Sequence, residues 1–350
     1  MTDYLSTLAG KRVALIGGAG FIGHNLALRL RELKADVHVI DSLQVNNLGA
    51  FSNTVGDPNK TLYLHLINER IRLLNENRVP LHVVDCRDYH LLTRTLSDIR
   101  PGVVVQLAAI AHANRSNKDP FSTFDHSFRT LENALDFSRG EGLNVSRFIY
   151  FSSSMAYGNF DGDAVQEDRR CEPVGIYGAL KYGGERLVMA YNQVFNLPYT
   201  IVRPSALYGQ RCVSRRVGQA FIENALRGQP LTINGDGTDG LDFTYIGDLV
   251  QGLLLCIAHP AAHNQIFNLT YGSARTLNQM VDIMRAEFPG VEVRHNPRDA
   301  LMPERGTLSV EKARKLIGYE PAYPLEKGFV EYIKWYKTLA KKHPDLFKVA

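Results

Sequence analysis

The chain has 350 residues, 45% of them hydrophobic, and a formal net charge of +4 from 40 Lys and Arg set among 36 Asp and Glu. That length buries a large core, as one big domain or two closely joined ones. The mild, mixed charge argues against a nucleic-acid surface, and four widely spaced cysteines suggest neither a disulfide framework nor a metal site.

Residues 12–16 read as an apolar strand running into Gly17-Gly18-Ala19-Gly20-Phe21-Ile22-Gly23, followed by a helical pattern over 24–33. Gly17 suits a tight turn off the strand, Gly20 lets the backbone approach a pyrophosphate, and Gly23 allows the helix to pack closely. The helix N-terminus offers free N–H groups to phosphates. Taken alone, such a trio also suits an ordinary Gly-rich turn. A second strand over 37–40 ends in Asp41, 18 residues beyond Gly23. A carboxylate there accepts hydrogen bonds from an adenosine ribose and repels a 2′-phosphate, so the ensemble predicts a dinucleotide site preferring NAD to NADP.

Four more apolar strands follow at 81–84, 103–107, 148–152 and 199–203, separated by helical patterns at 89–97, 124–139 and 180–195. Continuous apolar runs alternating with helices predict a doubly wound parallel sheet with ligands beyond its C-terminal strand ends. Residues 42–80, with a helix over 61–77, are an insertion: a lid near the cofactor or a purely structural element. After Arg203, short strands at 231–233 and 243–245 mix with helices at 217–227, 246–257, 277–287, 310–317 and 325–340. The expected division is a dinucleotide-binding domain over 1–203 and a mainly substrate-binding α/β lobe over 204–350, with room for strands that return to the sheet. The apolar run 249–258 is too short to cross a bilayer and no signal peptide precedes the first strand, so no membrane contact is expected and the cytoplasm is the expected compartment.

Tyr177 and Lys181 stand at i and i+4, on one face of a helix. A fixed ammonium stabilises a nearby phenolate and moves the phenol toward the range of a general base. Upstream, an apolar strand ends in Ser152-Ser153-Ser154, where a serine can share a proton with the tyrosine. Ordinary turn chemistry is the plainer reading of three serines.

In order and spacing, GGAGFIG at 17–23, Asp41, Asp85, LAA at 107–109, the serines before Tyr157-Gly158, YGALK at 177–181, RPSALYG at 203–209, DFTYIGD at 242–248 and LIGYEP at 316–321 resemble the extended short-chain dehydrogenase/reductases, in particular the sugar-nucleotide epimerases and dehydratases. The resemblance covers nearly the whole chain and implies a Rossmann-type fold with a smaller C-terminal α/β substrate-binding lobe. It implies Ser153, Tyr177 and Lys181 as the catalytic group. NAD is expected against Gly17, Gly20, Phe21, Ile22, Gly23, Asp41 and Ser42, with Asp85 and Cys86 by the adenine. Leu107, Ala108, Ala109 and Pro204 would lie along it, and Tyr177 and Lys181 at its nicotinamide ribose.

Relatives that dehydrate sugars carry an Asp-Glu pair directly after the catalytic hydroxyl, where Ser154 and Met155 stand here. The expected activity is therefore NAD-dependent epimerisation of a nucleotide sugar at C4 through a transient 4-keto sugar. A dehydratase, decarboxylase or net oxidoreductase is the alternative within the family, and a catalytically silent NAD-binding regulator the alternative outside it. Other departures touch the substrate: Leu241 replaces an arginine that binds the diphosphate in familiar epimerases, Ala206 replaces an asparagine, and Ser127 and Thr130 replace an Asn and a Gly. A diphosphate needs compensating charge, for which Arg211, Arg215, Arg216 and Arg305 are candidates; His112, Ser153 and Ser154 are candidates for the sugar pocket. A homodimer through the helices at 124–139 and 180–195 is the expectation the resemblance adds.

Overall fold

The structure, a computed structural model, describes residues 3–111, 113–140, 142–298 and 302–348. The candidate residue His112 lies outside them.

Seven strands form the central sheet: β1 (Arg12–Ile16), β2 (Asp36–Asp41), β3 (Leu81–Val83), β4 (Val103–Gln106), β5 (Arg147–Phe151), β6 (Tyr199–Arg203) and β7 (Gln265–Asn268). They run in the order β7-β6-β5-β4-β1-β2-β3, and every neighbouring pair is parallel. The order reverses between β1 and β4, leaving a crevice at their C-terminal ends where ligands of such sheets bind. All residues of β5 and β6 are buried, as expected of strands covered on both faces. β7 is the strand the sequence reading lacked. Its four residues, Gln265-Ile266-Phe267-Asn268, are too few and too polar at the ends to stand out, and pairing Ile266 with Ile201 and Phe267 with Val202 is what makes them a strand.

The helices that matter for the site are α1 (Phe21–Glu32), α2 (Lys60–Glu76), α3 (Tyr89–Ile99), α4 (Thr130–Ser138), α5 (Gly175–Phe195), α6 (Val217–Leu226) and α7 (Ile246–Ala258). α5 begins five residues before the predicted start, so Tyr177 lies in its first turn. The predicted helix over 124–139 is broken: Pro120–Phe124 leads through a π-helical turn, Asp125–Arg129, into α4. Such a turn widens the helix locally and is common at functional sites.

The sheet layer and the smaller lobe each draw on both halves of the chain. α7 sends Leu249, Leu253 and Ile257 into the core beneath the central sheet, beside Val13 and Val202. With β7, it returns the C-terminal half to the large layer. The insertion does the reverse. α2 buries Leu62, Tyr63, Leu66 and Ile67 against Phe221, Phe329, Tyr332 and Tyr336, in the core of the smaller lobe. Tyr63 donates to Glu223 (2.9 Å), which also accepts from Tyr336 (2.8 Å) and Gln219 (2.8 Å), so this buried carboxylate ties the insertion to α6. Among the described residues, no helix is long and apolar enough to cross a membrane. The four cysteines are free, and no group of three or more His, Cys, Asp and Glu side chains among those residues could hold a metal ion.

Candidate active site

β1 ends in the glycine loop, and the geometry there leaves no room for side chains. Gly17 has φ +77°, and a Cβ on it would stand 2.5 Å from the Ala108 nitrogen. On Gly23 a Cβ would stand 2.4 Å from the Gly18 carbonyl oxygen. Gly20 is different: a Cβ there would meet only the Gly17 oxygen at 3.5 Å, so its open face is kept for something else. That face borders a cleft at the sheet's switch point. Gly17, Gly20, Phe21, Ile22, Gly23, Asp41, Ser42, Asp85, Cys86, Leu107, Ala108 and Ala109 all line it. The glycine cradle and the N-terminus of α1 fit a dinucleotide.

Asp41, at the end of β2, is buried and accepts from the Ala19 N–H (3.0 Å) and the Leu43 N–H (2.8 Å). Burial raises its pKa, and the two amide bonds oppose the rise. Asp85 is already paired: Arg87 grips both its oxygens and lowers its pKa. Arg87 also reaches Gln44 (3.1 Å) and Asp125 (3.3 Å), closing a polar bridge across this end of the cleft.

Ser153 and Lys181 are buried and Tyr177 half-buried, where β5 meets the first turns of α5. Burial raises the Tyr177 pKa; Arg216 opposes it most, then a hydrogen bond from Ser153, then Arg305. Lys181 is not what lowers it. The Nζ atom lies 6.0 Å from the Tyr177 ring centroid and donates to the Phe151 carbonyl (2.7 Å). Burial brings the lysine down to about 8, with Glu185 one turn on opposing. Glu185 itself is held by Arg203 through two hydrogen bonds of 2.8 and 2.6 Å and accepts from Ser152. Lys181 thus stands on a rigid buried network.

The four candidate arginines separate cleanly. Arg211 is engaged by His24 (3.0 Å) and Glu69 (3.3 Å), contacts that link α1 and α2. Arg215 is exposed and donates to Asn224 (3.2 Å), away from the cleft. Arg216 lines the cleft, and Arg305 is close enough to act on both Arg216 and Tyr177. The Arg305 Nε is buried with no hydrogen-bond partner. Ser154 donates its N–H to the Pro204 carbonyl (3.0 Å), while its buried hydroxyl has no partner. None of Ser153, Ser154, Tyr177, Lys181, Pro204 and Arg305 lines the cleft itself; they stand beside it.

A family model described as the NAD dependent epimerase/dehydratase family matches residues 13–270. The chain belongs to that family. A putative UDP-glucose 4-epimerase of Methanocaldococcus jannaschii is 29% identical over 93% of this chain and 98% of its own length. UDP-glucuronate 4-epimerase 1 of Arabidopsis thaliana is 28% identical over 93% of this chain and 77% of its own. Among solved structures, UDP-glucuronic acid 4-epimerase from Bacillus cereus, in complex with UDP-glucuronic acid and NAD, superposes with a TM-score of 0.83 at 25% identity, covering 93% of this chain and 99% of that one.

Departures from the family pattern have local consequences. Ala206 has φ +37°, a left-handed conformation that asparagine tolerates far better than alanine, so this position bears strain. Leu241 pairs with Arg275 in a short antiparallel ladder, yet Arg275 is bound to Glu326 (2.6 Å) and does not replace the missing arginine. Ser127 and Thr130 carry the π turn's work. The Ile110 N–H donates to the Ser127 hydroxyl (3.2 Å), and the Thr130 hydroxyl accepts from Gln106 (3.1 Å), so both fasten the strand end of the cleft to the helix. Val45, Asn46, Arg70, His126, Val213 and Ser214 also line the cleft and escaped sequence reasoning. They come from the insertion, the π turn and the loop after residue 209, where no spacing rule connects them to the glycine loop.

Proposed function

We infer that the protein is an NAD-dependent epimerase that inverts C4 of a nucleoside-diphosphate sugar. The observation that carries this reading is the combination of Ser153, Tyr177 and Lys181 beside the cleft with Ser154 and Met155 where elimination would need two carboxyl groups. Names and ligands of the relatives point the same way.

The roles follow from the contacts. Tyr177, as phenolate, accepts the proton of the 4-hydroxyl and later returns it. NAD supplies, when bound, a hydride acceptor that is regenerated when the hydride goes back to the opposite face of the 4-keto sugar. Ser153 is assigned a hydrogen bond to the oxygen whose charge changes, and Lys181, buried one turn from Tyr177, a role at the nicotinamide ribose. Arg216, which lines the cleft, and Arg305, near both Arg216 and Tyr177, lack ion-pair partners among the described residues and are assigned the charge for the diphosphate that Leu241 cannot supply. The free hydroxyl of Ser154 is available to a sugar hydroxyl. Asp41 favours NAD over NADP because a 2′-phosphate would face its carboxylate.

The reaction belongs in the cytoplasm, a reading supported by four free cysteines. The exposed Phe121, Phe124, Ile176, Val194 and Phe195, on the segment before α4 and on α5, support a homodimer.

Incubation with UDP-glucose, UDP-glucuronic acid and further nucleotide sugars, followed by mass and NMR analysis, tests the function. An isomer of unchanged mass is expected. A product lighter by water or carbon dioxide, or a keto sugar formed with one equivalent of NADH, overturns the epimerase reading.

A further inference from the structure

Arg70 is a large charged side chain placed where neither the fold nor the proton chemistry above requires one. It stands on α2, in the insertion, and is 1% exposed. Its Nε donates to the Arg211 carbonyl (2.9 Å) and Nη2 donates to the same oxygen. Nη1 is buried with no hydrogen-bond partner, and no carboxylate among the described residues forms an ion pair with the guanidinium, although Asp41 lies near enough to favour its charge. A buried cation left this way is costly unless an anion reaches it. Even so it stays charged: burial lowers its pKa only to about 10.

Its surroundings indicate which anion. Arg70 forms part of the cleft wall, as do Gly20, Phe21 and Asp41. Only Arg216 among the other lining residues is permanently cationic, and it acts on Tyr177 at the far end. At the α1 end the other basic groups are spent. His24, in the first turn, has its Nδ1 on the Gly20 carbonyl (2.9 Å) and its Nε2 on the Arg211 guanidinium (3.0 Å), which puts its proton on Nδ1. Burial, Arg70 and Arg211 hold that imidazole neutral. A pyrophosphate at the N-terminus of α1 carries two negative charges, against which a helix end offers only about half a charge.

We propose that Arg70 is a ligand of the cofactor's pyrophosphate, delivered from the insertion and held in place by the Arg211 carbonyl. The lid and structural readings of the insertion then merge: α2 is fixed into the smaller lobe by Tyr63 and Glu223, and from there sends one cation into the dinucleotide site. The proposal rests on the cleft being that site, and not on which sugar reaction it serves.

Isothermal titration of nucleotide-depleted protein with ADP-ribose and with adenosine tests it. Wild-type protein binds ADP-ribose; if it does not, the dinucleotide site itself is misread. Arg70→Gln is expected to weaken ADP-ribose and NAD by about tenfold or more, the range of a lost charge-assisted hydrogen bond, and to leave adenosine within about twofold. Unchanged ADP-ribose affinity overturns the proposal, and so does an equal loss for adenosine, which marks a merely structural residue. Should the variant not fold, hydrogen exchange on the wild type decides. ADP-ribose, but not adenosine, should slow exchange around residue 70 in α2, and equal protection by both, or by neither, overturns the proposal.

Discussion

Tyr177 is pulled in two directions. Burial favours the neutral phenol, and Arg216, Ser153 and Arg305 favour the phenolate. Deleting its hydroxyl removes the proton acceptor and nothing of the cleft wall. Tyr177→Phe should therefore reduce turnover by about 10²–10⁴ while NAD still binds; steady-state kinetics with a parallel NAD titration check both halves. The two arginines carry a separate expectation. Arg305→Ala should weaken nucleotide-sugar binding by about 2–5 kcal/mol, as when one partner of a buried charge pair is removed, with NAD affinity unchanged. Equal sugar-nucleotide affinity in Arg305→Ala and Arg216→Ala would end the relocated-arginine account. At this scale the sequence was readable where function depends on local spacing: the glycines, Asp41 and the Tyr177–Lys181 pair each follow from a strand or helix period. It was not readable where charge is shared across the fold. Nothing local shows that Arg211 would be taken by His24 and Glu69 while Arg216 stays free, or that Arg70 would reach the same cleft.

Elements shape the site by small irregularities. A regular helix over 124–139 would satisfy its own backbone; the π turn at Asp125–Arg129 instead brings Ser127 to the Ile110 N–H and His126 to the cleft. Apolar periodicity is blind to one extra residue per turn, which is why this segment read as a single helix. β7 escaped for the opposite reason, being too short for any period. At the other edge of the sheet, β2 and β3 set His38 and His82 nitrogen to nitrogen at 3.1 Å, with Asp36 3.3 Å from the far side of His38. Burial lowers both imidazoles, the neighbouring histidine adds to the effect at His82, and Asp36 opposes it at His38. A lowered folded-state pKa means that protonation favours the unfolded chain. Stability from these groups is thus present above their ordinary pKa of about 6.5 and is lost as pH falls through their folded values. Thermal melts should show a drop on acidification below about pH 6.5 that is smaller in His82→Asn; identical pH dependence in the two proteins would contradict this.

The whole molecule is a sheet layer and a smaller lobe stitched by exchanged segments. The insertion crosses from the first half into the smaller lobe, and α7 and β7 cross back, so neither half is a free-standing unit. The cleft lies between them, with the glycine loop on one side and Val213, Ser214 and Arg216 on the other. Phe121, 85% exposed, and Val194, 68% exposed, leave apolar surface near α5 that a second copy would cover. Sedimentation should give a dimer, and Phe121→Glu with Val194→Glu should give a monomer; a monomeric wild-type protein would refute the proposed assembly. The central claim is that C4 is oxidised and reduced by one bound cofactor, with Tyr177 moving the hydroxyl proton. A nucleotide sugar that is a substrate, labelled with deuterium at C4 and incubated with the holoenzyme without added NAD, measures this directly. The account predicts the 4-epimer, unchanged in mass, with the deuterium still at C4. Epimer that has exchanged its label with water, or labelled substrate converted to a lighter product, would contradict it.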